Sequence, residues 1–75
     1  MSEHKHETII SKAQSAVSAK RILEEIAVAG SYIASGFSDG FIIFSKSKDS
    51  LVEEITVEKI KEREFVIKKT VKMVE

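Results

Sequence analysis

The feature that most limits the fold of this chain is its shortness combined with the absence of cysteine. The 75 residues contain no Cys, and the only two histidines, His4 and His6, lie at the start. Domains of this size have small cores and usually rely on disulfides, a metal ion or self-association. Because the sequence offers neither a disulfide nor a convincing metal-binding pattern, we expect residues 1–75 to form a single small domain that assembles as a homodimer.

The charge balance limits the partners that this protein is expected to bind. Twelve Lys and Arg residues balance twelve Asp and Glu residues, whereas domains that neutralise nucleic-acid phosphates are usually strongly basic. No apolar run approaches the roughly eighteen residues of a membrane span, and residues 1–7 lack the apolar stretch of a secretory signal. We therefore expect a cytoplasmic protein that does not bind membranes. Its richness in Lys and Glu is typical of thermophilic proteins, although the absence of Pro is not.

Apolar residues recur at spacings of three and four from residue 8 to about residue 29, which predicts an amphipathic N-terminal helix. The stripe consists of Ile9, Ala13, Ala16, Val17, Leu23 and Ala27. We favour an end near Gly30, since glycine readily adopts a left-handed helix cap. Two alternatives are a helix that continues to Gly36 and a strand over residues 27–37.

The pair Asp39-Gly40 predicts a β-hairpin, because Asp-Gly favours turns that need a positive φ. Aromatic and β-branched residues flank the pair on both sides. We expect strands over residues 32–37 and 41–45. The second of these is apolar on both faces and should lie inside the sheet. The polar residues 45–50 are expected to form a connection.

The last third of the chain is predicted to contain a second short helix and a C-terminal strand. Ser50 and Glu53 have the spacing of a helix capping box, and residues 51–63 have one apolar and one charged face. A strand is the alternative for this segment, since residues 55–57 are all β-branched. Residues 64–74 are rich in β-formers, and Lys69 suggests an edge strand. The fold class is therefore α+β with a small antiparallel sheet.

Two short patterns resemble sites but have simpler explanations. His4 and His6 would hold a metal only loosely and lie in a segment, residues 1–7, that we expect to be a disordered tail. Ser45 and Lys48 match the S-x-x-K pattern of serine nucleophiles, which needs a helical turn and a pocket. We interpret both serine and lysine as part of a linker. We therefore expect no catalytic residue, no metal and no cofactor.

The strongest candidate for a ligand-binding surface is a group of basic residues near the C-terminus. Between residues 59 and 72, six basic side chains accompany only two acidic ones. Near an aromatic side chain, such a patch is suited to single-stranded nucleic acid. The patch consists of Lys59, Lys61, Arg63, Lys68, Lys69 and Lys72.

The leading functional hypothesis is a non-enzymatic homo-oligomeric module for protein interaction or regulation. The apolar stripe of the first helix is wider than one sheet face normally covers, and its alanines permit close helix packing. We expect Ile22 and Ile26 to lie at or near a two-fold dimer interface. A further protein partner is compatible with this hypothesis. The alternative is a small nucleic-acid-binding protein that uses the basic patch.

Overall fold

The computed structural model describes residues 5 to 73, which form one helix and five strands. In chain order these are β1 (Lys5–Ala13), α1 (Ala16–Ala29), β2 (Ile33–Ser38), β3 (Phe41–Lys48), β4 (Leu51–Lys61) and β5 (Glu64–Met73). All strand pairs are antiparallel, and the order across the sheet is β1-β5-β4-β3-β2. The α+β class with an antiparallel sheet is confirmed, although strands form more of the structure than we predicted.

The first strand replaces the predicted start of the N-terminal helix. Residues 8–13 pair with β5, and only residues 16–29 are helical. Thr8, Ile9 and Ile10 are β-branched, so pairing with a neighbouring strand outweighs the helical spacing of the stripe. Residues 5–7, predicted as part of a disordered tail, also belong to β1, while residues 1–4 lie outside the described residues.

Helix α1 begins at a serine cap and packs on one face of the sheet. The Ser15 hydroxyl accepts a hydrogen bond of 3.1 Å from the Ser18 N–H. Ala19, Leu23 and Ala27, which are four residues apart, are buried against the sheet. Their partners in the core are Ala13, Ile55, Val57, Phe65 and Ile67. The helix therefore forms the second layer of a two-layer domain.

The helix ends at Gly30, as we predicted, but for a different reason. Gly30 has a φ of −96°, and the left-handed residue is Ser31, with a φ of 61°. A β-carbon on residue 30 would lie 2.5 Å from Cε1 of Tyr32. Glycine is needed here because the tyrosine ring crosses directly over its backbone.

The hairpin at Asp39-Gly40 is present as predicted and joins β2 to β3. Asp39 and Gly40 have φ values of 54° and 85°, as a type I′ turn requires. Strand β3 lies inside the sheet, between β2 and β4. It continues to Lys48, so most of the predicted polar connection is strand, and only residues 49 and 50 form a turn.

The predicted second helix is wrong, because residues 51–61 form strand β4. Ser50 lies in the turn before this strand and caps no helix. The β-branched run at residues 55–57 pairs with β5 and contributes Ile55 and Val57 to the core. Strand β5 is not an edge strand as predicted, since it lies between β1 and β4. The true edges are β1 and β2.

Helix α1 connects these two edges by crossing the sheet, and it packs mainly on β1, β4 and β5. The β2–β3 hairpin therefore extends beyond the cover of the helix.

Within the described residues, no helix is long and apolar enough to span a membrane. The opposite sheet face carries no helix in this part of the chain. We call it the open face.

Candidate interaction site

The segment that forms the end of α1, β2 and most of β3 is almost free of charge. Residues 26–45 contain a single charged residue, Asp39, in a chain of which 32% is charged. We call this segment the low-charge flank. Three of its apolar side chains are strongly exposed: Val28 at 80%, Ile33 at 68% and Phe37 at 69% of their full areas. Single exposed apolar side chains are normal on a protein surface, so the feature that distinguishes this segment is the lack of charge around them.

Edge strand β2 is the most accessible part of the low-charge flank. All six of its residues are exposed, and the strand contains no charged residue and no proline. The other edge, β1, carries Lys5, Glu7 and Lys12. Charged side chains and prolines are the usual devices that stop sheet edges from pairing with another chain. Strand β2 has neither of these devices. Its protection against pairing consists of its short length and a bulge at Ser35.

The bulge at Ser35 separates the two large apolar side chains of β2. In a regular strand, residues four apart lie on the same face. Here the pairing shifts between Ala34 and Gly36. Ile33 pairs with Ser45 of β3, which pairs in turn with Glu54 of β4. The three side chains therefore share the open face. Phe37 instead lines a groove between the hairpin and α1.

A cluster of four polar side chains attaches the start of β2 to the end of the helix. The Tyr32 hydroxyl donates a hydrogen bond of 2.7 Å to Glu53, and Lys69 lies 3.5 Å from the same carboxylate. The Lys46 ammonium donates to the Gly30 carbonyl at 2.8 Å and lies 4.6 Å from the centre of the Tyr32 ring. We call these residues the tyrosine cluster. It holds β2 in a defined position at the edge of the sheet.

The ionisation of the tyrosine cluster follows from these contacts. Burial, the hydrogen bond to Glu53 and the charge of Glu53 together raise the pKa of Tyr32 to about 12. The hydrogen bond from Tyr32, with the charges of Lys69 and Lys46, lowers the pKa of Glu53 despite its partial burial. At neutral pH the phenol therefore stays protonated and the carboxylate charged. This arrangement stabilises structure and does not activate Tyr32 as a base.

The six residues of the predicted basic patch do not share one surface. Lys68 lies on the open face, 2.6 Å from Glu58 and 3.9 Å from Glu7, and the Glu58 contact raises the pKa of Lys68. Lys72 lies on the same face, whereas Lys69 belongs to the tyrosine cluster on the helix side.

The other three basic residues lie at or near the β4–β5 connection. Lys59 is 5.9 Å from the centre of the Phe65 ring and 4.0 Å from Glu62. Lys61 ends β4, Arg63 lies in the turn that follows it, and both are exposed. Three of the six basic residues, Lys59, Lys68 and Lys69, thus lie beside acidic side chains. The alternative function of nucleic-acid binding stays a prediction.

The predicted dimer contacts, Ile22 and Ile26, pack against the core of their own chain and are half-buried. Part of the predicted stripe belongs to β1, and the helical part packs on the core through Ala19, Leu23 and Ala27 with Ile22 and Ile26 beside them. The most exposed apolar side chains of the helix are Val17 and Val28, at 80% each.

The remaining sequence patterns have the following positions. Ser45 and Lys48 lie on β3, where side chains three residues apart point to opposite faces, so the lysine does not stack over the serine. His6 is exposed on β1, and His4 lies outside the described residues. Among residues 5–73, no group of three or more His, Asp or Glu side chains is arranged to hold a metal ion.

Comparison with known proteins adds no family to this description. No protein-family model, curated protein or solved structure matches the chain. The sequence analysis missed the low-charge flank as a unit. The signal was present in the near absence of charge over residues 26–45.

Proposed function

We propose that this protein is a non-enzymatic interaction module that pairs with a second copy of itself through edge strand β2. The observation that supports this proposal is the uncharged edge at β2, where every residue is exposed, at the opposite end of the sheet from the charged edge at β1. An antiparallel strand pair across a two-fold axis would join two five-stranded sheets into one. Each β2 would then gain partners for its outward backbone groups.

The geometry favours β2 over the helix as the self-association surface. Ile22 and Ile26 already pack against the core, whereas Ile33 is 68% exposed at the uncharged edge. The tyrosine cluster holds the start of β2 in position, so pairing requires little ordering of the strand. Because β2 has only six residues, we expect a dimer that dissociates in the micromolar range.

A charge placed on the edge tests this proposal. Analytical ultracentrifugation of the full chain at about 100 µM should show twice the monomer mass of 8.4 kDa. Ile33→Lys should yield a folded monomer, since a lysine on an edge strand is one of the devices that prevent the strand from pairing with another chain. Ile9→Lys is the matched control, because Ile9 is a 51% exposed isoleucine on the other edge, and it should leave the dimer intact.

The opposite results would contradict the proposal in different ways. A wild-type protein that remains a monomer at this concentration would exclude self-association as its function. A dimer that survives Ile33→Lys but dissociates with Ile9→Lys would place the interface at β1. Circular dichroism of both variants confirms that any change in mass is not caused by unfolding.

A further inference from the structure

The β2–β3 hairpin and helix α1 border a groove whose walls are mostly apolar and include three phenylalanines. Phe37 of β2, Phe41 and Phe44 of β3, and Leu23 of α1 line it. We call it the phenylalanine groove. It exists because α1 packs mainly on β1, β4 and β5, while β3 pairs with β4 only as far as Phe44. Beyond that point the hairpin diverges from β4, and the space beside Leu23 stays unfilled.

We infer that the phenylalanine groove binds a small neutral ligand with a single aromatic ring. Its volume is about 100 Å³, which is two-thirds of the roughly 150 Å³ of an enclosed cavity, lined by Leu, Ile and Phe, that accepts benzene. A single ring is therefore the largest group that the groove can partly enclose. The groove is open to solvent on one side, so one ring enters with an edge left exposed. A fused two-ring compound is too large to be enclosed.

The walls of the groove favour an aromatic ring over an aliphatic one. Phe41 already packs edge-on against Phe65, with ring centres 6.1 Å apart and planes inclined by 66°. A bound ring can extend this arrangement, because aromatic pairs prefer edge-to-face or offset packing. Phe37 is 69% exposed and gains most from a ligand that covers it.

The charges beside the groove select a neutral ligand. Lys20 and Glu24 lie one helical turn apart on α1, and both line the groove. A ligand with a charge of either sign would meet one attractive and one repulsive group. The net electrostatic gain is therefore small, and a charged ligand would still lose hydration on entering. An uncharged ring meets neither penalty.

Toluene is a suitable probe for the uniformly ¹⁵N-labelled full chain, observed by NMR. We expect saturable amide shifts at residues 37–44, with a dissociation constant of about 1 mM, as is usual for a ligand of seven carbons. Cyclohexane should bind several-fold more weakly, and benzoate should bind more weakly than toluene. Equal affinities for toluene and cyclohexane would contradict the preference for aromatic rings.

Two variants on the same strand provide a matched comparison. Phe37→Ser should weaken toluene binding about ten-fold, because it removes an aromatic wall. Ile33→Ser removes an apolar side chain of nearly equal exposure that lies outside the groove, and it should leave the affinity unchanged. Absence of saturable shifts, or equal affinities of the two variants, would overturn the inference. Binding is read from amide shifts and self-association from sedimentation, so the groove and the proposed dimer can fail independently.

Discussion

At the scale of single residues, Tyr32 shows how one side chain links three elements. Its ring covers Gly30 at the end of α1, its hydroxyl contacts Glu53 on β4, and Lys46 of β3 lies over its face. Breaking any of these contacts would free the start of β2. The geometry of the proposed edge therefore depends on a residue that is not itself at the interface.

Tyr32 is the only tyrosine and the chain has no tryptophan, so its ionisation can be followed directly by ultraviolet absorption. The folded pKa of about 12 lies above the ordinary value of 10.0. The stabilisation from this shift is fully present below pH 10 and is lost as the pH rises towards 12. We expect the native titration midpoint to lie above that of the protein in denaturant, with unfolding promoted over this range.

Glu53→Gln should move the native midpoint of Tyr32 downward, because it removes both the negative charge and the charged hydrogen-bond acceptor. Glu54→Gln is the control, since Glu54 is the neighbouring acid on the open face of the same strand. A midpoint unchanged by Glu53→Gln would show that burial alone raises the pKa.

At the scale of elements, the predicted and observed structures differ in which serine caps a helix. The Ser50–Glu53 spacing indicated a capping box, whereas the cap that forms is Ser15, which accepts from Ser18. Both serines precede apolar segments. Ser15 precedes a segment rich in Ala, which favours helix, while the segment after Ser50 contains the β-branched run at residues 55–57, which favours a strand.

Substituting each serine measures this difference. Ser15→Ala should lower the free energy of unfolding by about 1 kcal/mol through loss of the cap. Ser50→Ala should change it by less than about 0.5 kcal/mol, because this turn residue caps no helix. Chemical denaturation followed by circular dichroism gives both values. Equal losses for the two variants would contradict the assignment of Ser15 as the cap.

At the scale of the whole molecule, the core and the proposed interface use different isoleucines. Ile22 and Ile26 pack on the core of their own chain, while Ile33 is exposed on edge strand β2. Substitutions at the two places should therefore have different effects. Substitutions at Ile22 and Ile26 should reduce the stability of the fold, whereas substitutions at Ile33 should reduce self-association.

Ile22→Glu combined with Ile26→Glu should destabilise the fold by several kcal/mol, because two half-buried apolar side chains become charged. We expect this loss at every protein concentration, whereas the effect of Ile33→Lys should be confined to concentrations at which the wild type is a dimer. Thermal melts at two concentrations separate these cases. A stably folded monomer from the double glutamate variant would instead support the helix as the dimer surface.

The parts of the fold that sequence alone determined are those governed by local chemistry. The Asp39-Gly40 turn and the strands on either side of it were predicted, because backbone preference decides each of them. The end of the helix at Gly30 was also predicted, but the tyrosine ring that requires glycine there was not. The strand character of residues 64–73 was predicted for the same reason. The charge-poor stretch over residues 26–45 is also readable from sequence.

The parts that only the tertiary structure decided are those where two periodicities competed. Residues 8–13 and 51–61 each match a helical pattern, yet both form strands because each pairs with β5. That same pairing places β5 inside the sheet and leaves β2 at an edge. The tyrosine cluster and the phenylalanine groove join residues far apart in the chain, so their positions depend on the order of the strands, which no local pattern contains.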